Sequence, residues 1–324
     1  MPDHRLLSRG RPDLWNVSTD RQVFFTAPED VAPTAGSALT ITGLIPDQHF
    51  YHGRGGYVYS LWRDSAASQP NIKPGLLAYL AKTYGRAVKA EEVLAYLAAV
   101  TAHPNFTIRF KADLVRPGLH VPLTADAKLF AEAVVLGSEV IWLHCYGERF
   151  ADAAAGRPKQ APRLKDKDAA PYIPKSGEIP GAPEPLPDTM DFDPATRRLK
   201  IGKGYVENVT PEMWNYEVSG MNVLRQWFSY RRRDRSRPLI GDRRPPSPLD
   251  QIQPDHWLPE YTSDLIDLLN VLGRLIALEP KQADLLTRIC NAPLLSAEEL
   301  RNAGAFTSAE EKPAPAKRKS KSKA

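Results

Sequence analysis

Two cysteines, Cys145 and Cys290, are all the thiol chemistry that the 324 residues hold. They fall inside apolar helical patterns and show no CxxC spacing. That excludes a disulfide scaffold and leads us to expect two reduced thiols. Long hydrophobic runs are missing as well. No stretch approaches the roughly 20 apolar residues that a bilayer-spanning helix needs. The N-terminus, MPDHRLLSRGRPDLW, is polar and basic and has no apolar signal core. A soluble, cytoplasmic protein is expected.

Several catalytic signatures are also absent. There is no GxxxxGK[ST] phosphate loop, no HExxH, no Cys/His cluster at zinc spacing and no GxSxG elbow. His49 and His52 lie three apart in a stretch that reads as loop and strand, and no third metal ligand is evident. The run Gly53-Arg54-Gly55-Gly56 lacks the third glycine and the βαβ setting of a dinucleotide fingerprint. Its glycines would still let backbone near Arg54 approach a phosphate. The tetrapeptide with which exocyclic-amine methyltransferases hold a flipped base, two prolines followed by an aromatic, is missing too. The only adjacent prolines, Pro245 and Pro246, are followed by serine. No cofactor or metal is expected in this chain.

What is present is globular in composition: 42% hydrophobic and 25% charged residues suffice for a sizeable core. The formal net charge of +5 permits a polyanionic partner without requiring one. Residues 1–150 read as a mixed α/β segment. VFFTA (23–27) and ALTITGLI (38–45) are β-rich, and GRGGYVYSLW enters a third strand. Pro74 suits the first position of a helix striped by Leu76, Leu77 and Leu80 and closed by Gly85. Val93, Leu94, Leu97 and Val100 mark a second helix, which Pro104 should stop. FTIRF (106–110) then reads as a short strand. Thr124 is the expected cap of a third helix running to about Gly147, with Gly137 as a place for a kink.

Residues 151–188 are proline-rich and read as a linker or a long surface excursion that buries little. In the part from 189 to 306, residues 190–209 predict three short strands joined by turns at Asp193-Pro194 and at Gly202-Lys203-Gly204. Thr210-Pro211 starts a helical turn through Trp214. Ser219 is the expected cap of the helix in VSGMNVLRQWFSYRRRDR (218–235). Thr262 or Ser263 begins a strong amphipathic helix, and Pro280 should restart a partner helix. Residues 307–324 form a basic tail expected to be disordered. The fold class expected is α+β, mainly helical with short strands and hairpins and a proline-rich insertion.

The main chemical constellation is basic. Arg225, Arg231, Arg232, Arg233, Arg235, Arg237, Arg243 and Arg244 are opposed only by Asp234 and Asp242. Trp227, Phe228 and Tyr230 are interleaved, and Trp214 lies just upstream. Arginine suits bidentate contact with phosphate or a guanine edge, and neighbouring aromatics stack on bases. The same pattern also describes a solvated helix end whose arginines complement the C-terminal dipole. With Lys203, Arg54, Trp214 and Tyr230, the residues Arg225, Arg231, Arg232, Arg233, Arg235, Arg243 and Arg244 make the candidate DNA-binding set. No catalytic residue is assigned.

An ordered series of segments resembles the C-terminal specificity region of type ISP restriction–modification enzymes. It includes PDQHFYHGRGGYVYSLW (46–62), EEVLAYLAAVTAHPNFTIRF (91–110), RPGLHVPLT (116–124) and LFAEAVVLGSEVIWLHCYGERF (129–150). It continues with LKIGKGYVENVTPEMWNYEVSGMNVLRQWFSYR (199–231) and the helix from TSDLIDLLNVLGRLIALEP (262–280). The resemblance spans roughly residues 5–300 apart from the proline-rich stretch. It implies a target-recognition module that holds double-stranded DNA for an N6-adenine methyltransferase and helicase-nuclease. It also implies that S-adenosylmethionine, ATP and Mg belong to those missing parts, on the same or a separate polypeptide. Segment 1–150 would then include the trailing edge of a methyltransferase-like region. Two other readings stay open: residual adenine-specific methyltransferase activity, and an interaction subunit that docks a partner through an exposed LIDLLNVLGRLI helix.

Overall fold

The structure, a computed structural model, describes residues 11–28, 32–46, 56–115, 119–233 and 254–305. The calls at His49, His52, Arg54, Arg235, Arg237, Arg243 and Arg244, the second proline-rich loop and the basic tail lie outside those residues. The fold is α+β: helices with small antiparallel sheets of two or three strands. Among the described residues, no helix is long and apolar enough to cross a membrane.

A short helix α1 (Pro12–Asn16) precedes a three-stranded antiparallel sheet. The sheet joins β1 (Phe24–Pro28), β2 (Thr40–Thr42) and β3 (Gly56–Ser60) in the order β2-β1-β3. Phe24 faces Leu14 and Val17 on one side of β1. Gln22 is wholly buried and satisfied. Its amide donates to the carbonyls of Val17 and Trp62, and its oxygen accepts from the N–H groups of Val23 and Trp62.

Four helices then build the centre: α2 (Pro74–Tyr84), α3 (Ala90–Thr101), α4 (Pro104–Arg109) and α5 (Ala127–His144). Gly85 closes α2 in the left-handed region, as its position predicts. FTIRF is helical rather than extended. Pro104, placed to end α3, occupies the first turn of α4, where its missing N–H costs nothing. Asp126, rather than Thr124, caps α5 by accepting from the N–H groups of Lys128 and Leu129. The helix ends at His144, before the positive-φ pair Tyr146 and Gly147.

Gly137 serves close approach. A Cβ there would sit 1.7 Å from the Ala95 carbonyl oxygen, so α5 and α3 meet backbone to backbone. Ala95, Ala98 and Ala99 are fully buried along that seam. At its far end Arg149 donates to the carbonyls of Gln22, Thr19 and Gly43, tying the segment after α5 to the first sheet.

The long helix α8 (Pro259–Asn291) has 33 residues and crosses both halves of the core. It starts three residues earlier than its sequence suggests and runs through Pro280 without a break. A proline removes one amide donor and costs about 3 kcal/mol inside a helix. Burial of Leu265, Leu269, Leu272, Leu275, Leu285 and Ile289 on both sides of it outweighs that. The LIDLLNVLGRLI face therefore fills the core and is not an exposed docking helix. Gln282 donates to the carbonyls of Ala98 and Ala99, and Arg274 lies over Trp142 while pairing with Glu139 at 2.5 Å.

The proline-rich stretch is irregular but anchored at intervals. The Trp142 indole donates to the Pro158 carbonyl, and the Leu164 N–H donates to the Asn270 side chain. Glu207 and Tyr172 exchange backbone bonds, and the Leu186 N–H donates to the Asp255 carbonyl. Ile179 and Leu186 are buried in the main core. Most of the stretch is exposed or half-buried, as in a surface excursion, and a few buried anchors hold it, with proline lowering the entropy of ordering.

Two predictions follow from this packing. Gly137→Ala drives a methyl into backbone, so it should lose about 3 kcal/mol or more, against roughly 1 kcal/mol gained in helix propensity. Denaturant unfolding measures the net. The second concerns pH. Burial pushes the Glu279 carboxyl, in reach of the buried Tyr216, up to about 7. Folding favours the protonated acid, so its contribution is whole below 4.5 and declines as pH rises through about 7. Glu279→Gln should raise stability by about 1 kcal/mol near pH 8, solvent reaching the part-exposed carboxylate and reducing the penalty, with the gain vanishing towards pH 5. His103 and His144 act in the opposite sense: burial pushes both down to about 4, so stability falls as pH drops from 6.5 through that value. Thermal unfolding against pH reads both.

Candidate nucleic-acid interface

A meander of β4 (Met190–Asp193), β5 (Arg198–Ile201) and β6 (Gly204–Val206) carries the first candidate residue, Lys203, at its second turn. The strands and turns are those the sequence predicts. Asp193 accepts from the N–H groups of Ala195 and Thr196, and Gly202 has a positive φ. Leu199, Ile201 and Val206 point into the core. Next comes α6 (Pro211–Trp214), capped by Thr210 as expected.

The two-residue strands β7 (Glu217–Val218) and β8 (Met221–Asn222) form a tight hairpin. Its turn residues, Ser219 and Gly220, both have positive φ, the geometry of a turn that matches strand twist. Ser219 is thus a turn residue, not a helix cap. Asn222 caps α7 (Val223–Ser229) by accepting from the Arg225 N–H at 2.9 Å. The hairpin is tied to the first segment of the chain by bonds from the N–H groups of Ser219 and Gly220 to the carbonyls of Ser37 and Ala35.

On α7, Leu224 and Phe228 are buried and Trp227 is half-buried, which is the face the spacing predicts. Trp227 meets Trp257 edge-on at 6.1 Å, and Trp257 meets Tyr261 at 5.5 Å. The helix ends at Ser229, so the three arginines follow it rather than form its last turn. Complementing the helix dipole is therefore not their common role.

They separate by partner. Arg231 lies between Trp227 and Tyr261, 4.2 and 5.2 Å from the ring centres. It donates to the Trp227 carbonyl at 3.0 Å and pairs with Asp264 at 3.6 Å. Its guanidinium braces α7 against α8. Arg232 is half-buried. Arg233 pairs with Asp188, and its N–H donates to the Pro187 carbonyl at 3.0 Å. Lys203 pairs with Glu184 at 2.8 Å, and its neighbour Gly202 packs against Pro187. Lys203 and Arg233 thus flank one short stretch, 184–188. Tyr230 is exposed, and its hydroxyl accepts from the Gln226 amide at 3.0 Å.

Arg225 is exposed and lies over Trp214, 5.0 Å from its ring centre. Trp214 stacks in turn on Phe192 at 5.9 Å and 24°. Sequence reasoning missed Phe192, and it missed Asp188, Glu184 and Asp264 as counter-ions. Their separations from their partners in the chain carry no local signal. It also missed Arg198, which lies over Tyr205 at 4.5 Å and pairs with Glu207.

Taken together, the site is an arginine–aromatic surface built by two hairpins and a short capped helix on a helical core. The chain belongs to the type ISP C-terminal specificity domain family, whose model matches residues 1–268. Its fold is similar to part of DrdV, seen by electron cryomicroscopy in a complex with DNA. The TM-score is 0.55 at 13% identity, over 83% of this chain and 25% of that one. It is also similar to part of a nuclease-deletion mutant of the type ISP restriction–modification enzyme LlaGI in complex with a DNA substrate mimic. There the TM-score is 0.52 at 13% identity, over 89% of this chain and 23% of that one. The chain therefore spans about a quarter of the solved chains it resembles. No curated protein matches it.

The two roles of arginine are separable by stability. Arg231→Ala should cost about 1–3 kcal/mol, since it removes two partly desolvated ring contacts and a carbonyl bond. Arg225→Ala, at an exposed site, should stay within about 0.5 kcal/mol. Thermal unfolding of the two variants side by side tests the contrast.

Proposed function

We propose that this chain is the target-recognition part of a type ISP-like restriction–modification system. In this reading it holds double-stranded DNA and reads its sequence for an N6-adenine methyltransferase and helicase-nuclease carried outside these 324 residues. The observation that carries the reading is the family match across residues 1–268. The surface around α7 supports it, with cations and aromatic rings side by side as nucleic-acid binding requires.

The DNA-facing set in this reading is Arg225, Arg232, Arg233, Lys203, Trp214 and Tyr230. Arg54, Arg235, Arg243 and Arg244 join it on sequence grounds. Arg231 contributes indirectly, by fixing α7. Phosphate contacts would set register and a few base contacts would specify the site. S-adenosylmethionine, ATP and Mg are assigned to the catalytic parts, and none to this chain. A cytoplasmic location goes with such a system.

Fluorescence anisotropy of a randomised duplex against the purified chain, at several salt concentrations, tests the proposal. If about five phosphates are neutralised, log K should fall with log[salt] at a slope of about −4 to −5. Absence of binding even at low salt would overturn recognition by this chain on its own.

A further inference from the structure

The cations of the interface are not equivalent, and the difference lies in what already holds their donors. Arg231 is enclosed by two rings, a carbonyl and a carboxylate. Arg233, Lys203 and Arg198 each face a carboxylate: Asp188, Glu184 and Glu207. Arg225 is exposed, and among the described residues neither a carboxylate nor a carbonyl accepts from its guanidinium. Its guanidinium lies over the face of Trp214.

That contact is held in place. Trp214 stacks on Phe192, which fixes the ring that the guanidinium meets. One side chain couples Arg225 to Trp214. Asn222 donates from its amide to the Trp214 carbonyl at 2.7 Å and accepts the Arg225 N–H at 2.9 Å. The helix carrying Arg225 and the turn carrying Trp214 are therefore fixed relative to each other. A guanidinium whose face is stacked keeps its in-plane N–H groups at the rim, as a fork aimed away from the ring. An arginine free in solution loses rotamer entropy when it is fixed, and contact with the ring removes part of that cost before any ligand arrives.

A planar fork with unused donors matches a planar pair of acceptors. In duplex DNA the O6 and N7 atoms of guanine supply one in the major groove. Phosphate is the weaker match here. Arg233, Lys203 and Arg198 would each meet a phosphate by exchanging a carboxylate partner, whereas Arg225 faces no carboxylate among the described residues and has its fork open to a planar acceptor pair.

We infer that Arg225, laid over Trp214, reads a single guanine by donating two hydrogen bonds to its O6 and N7 atoms. This rests on the DNA-recognition reading above and assigns the base-reading step within it. Arg225 is a specificity-determining residue, and Trp214, Phe192 and Asn222 are its positioning residues.

The test uses the whole 324-residue chain. A preferred duplex is selected from a randomised pool. Anisotropy is then measured for that duplex and for each single-base-pair variant of it, at several salt concentrations, with wild type, Arg225→Lys and Arg225→Ala. At one G·C pair the wild type should discriminate by roughly 5- to 150-fold. Both variants should bring that position towards no preference and leave the others as they were. Arg225→Lys keeps the charge and loses the fork, so its salt slope should match the wild type. Discrimination retained by Arg225→Lys at every position would overturn the inference. So would an Arg225→Ala variant that weakens all duplexes alike and reduces the salt slope by about 0.9, the signature of a phosphate contact. Either result, with wild-type binding intact, leaves the DNA-recognition reading standing. A wild type that binds no duplex overturns both.

Discussion

The contact of α3 with α5 at Gly137 is the constraint on which the rest of the molecule depends. Backbone meets backbone there, with Ala95, Ala98 and Ala99 supplying the only side chains that fit. Once that pair is set, its two flanks present apolar surface on either side of one seam. The helix α8 covers both flanks, and Gln282 on it donates to the buried carbonyls of Ala98 and Ala99. The far end of α5 leads directly to Arg149, whose guanidinium gathers three carbonyls around the first sheet. Sheet, helical core and long helix are therefore positioned from one close crossing.

The interface is a second-order product of the same frame. Its hairpins are too short to be stable alone. The β7–β8 hairpin leans on residues 35 and 37 of the first segment, and α7 leans on the start of α8 through Arg231. Rigid placement of a few side chains on a scaffold fixed elsewhere is what recognition of a sequence needs. Among the described members of an arginine cluster that looks uniform along the chain, Arg231 is a brace, Arg233 is ion-paired and Arg225 lies over a tryptophan.

Much of the fold was legible because it rests on local rules. Proline at the first helical turn and glycine after the last turn mark α2. Alternating apolar residues and turn residues mark β4, β5 and β6, and the spacing of Leu224, Trp227 and Phe228 marks the buried side of α7. The misreadings were places where a local rule had two outcomes. Pro104 can stop a helix or start one, and the burial of Phe106 in the helical core decided for a start. Pro280 can end a helix, yet packing on both sides carried α8 through it. Ser219 looks like a cap, but the hairpin needed positive φ there, and Asn222 was the residue left to cap. The proline-rich stretch lacks periodicity, so nothing local announced its buried anchors, Ile179 and Leu186.

By itself, the sequence determined the element types, the apolar faces and the presence of an arginine–aromatic cluster, because each depends on residues within one or two turns of one another. The tertiary structure alone decided how the described cations are partnered. Asp264, Asp188 and Glu184 reach their cations only through chain segments brought together by the core, and Phe192 reaches Trp214 in the same way. Pairing of charges falls off steeply with distance and depends on burial. It is therefore a property of the folded geometry, and no spacing along the chain encodes it.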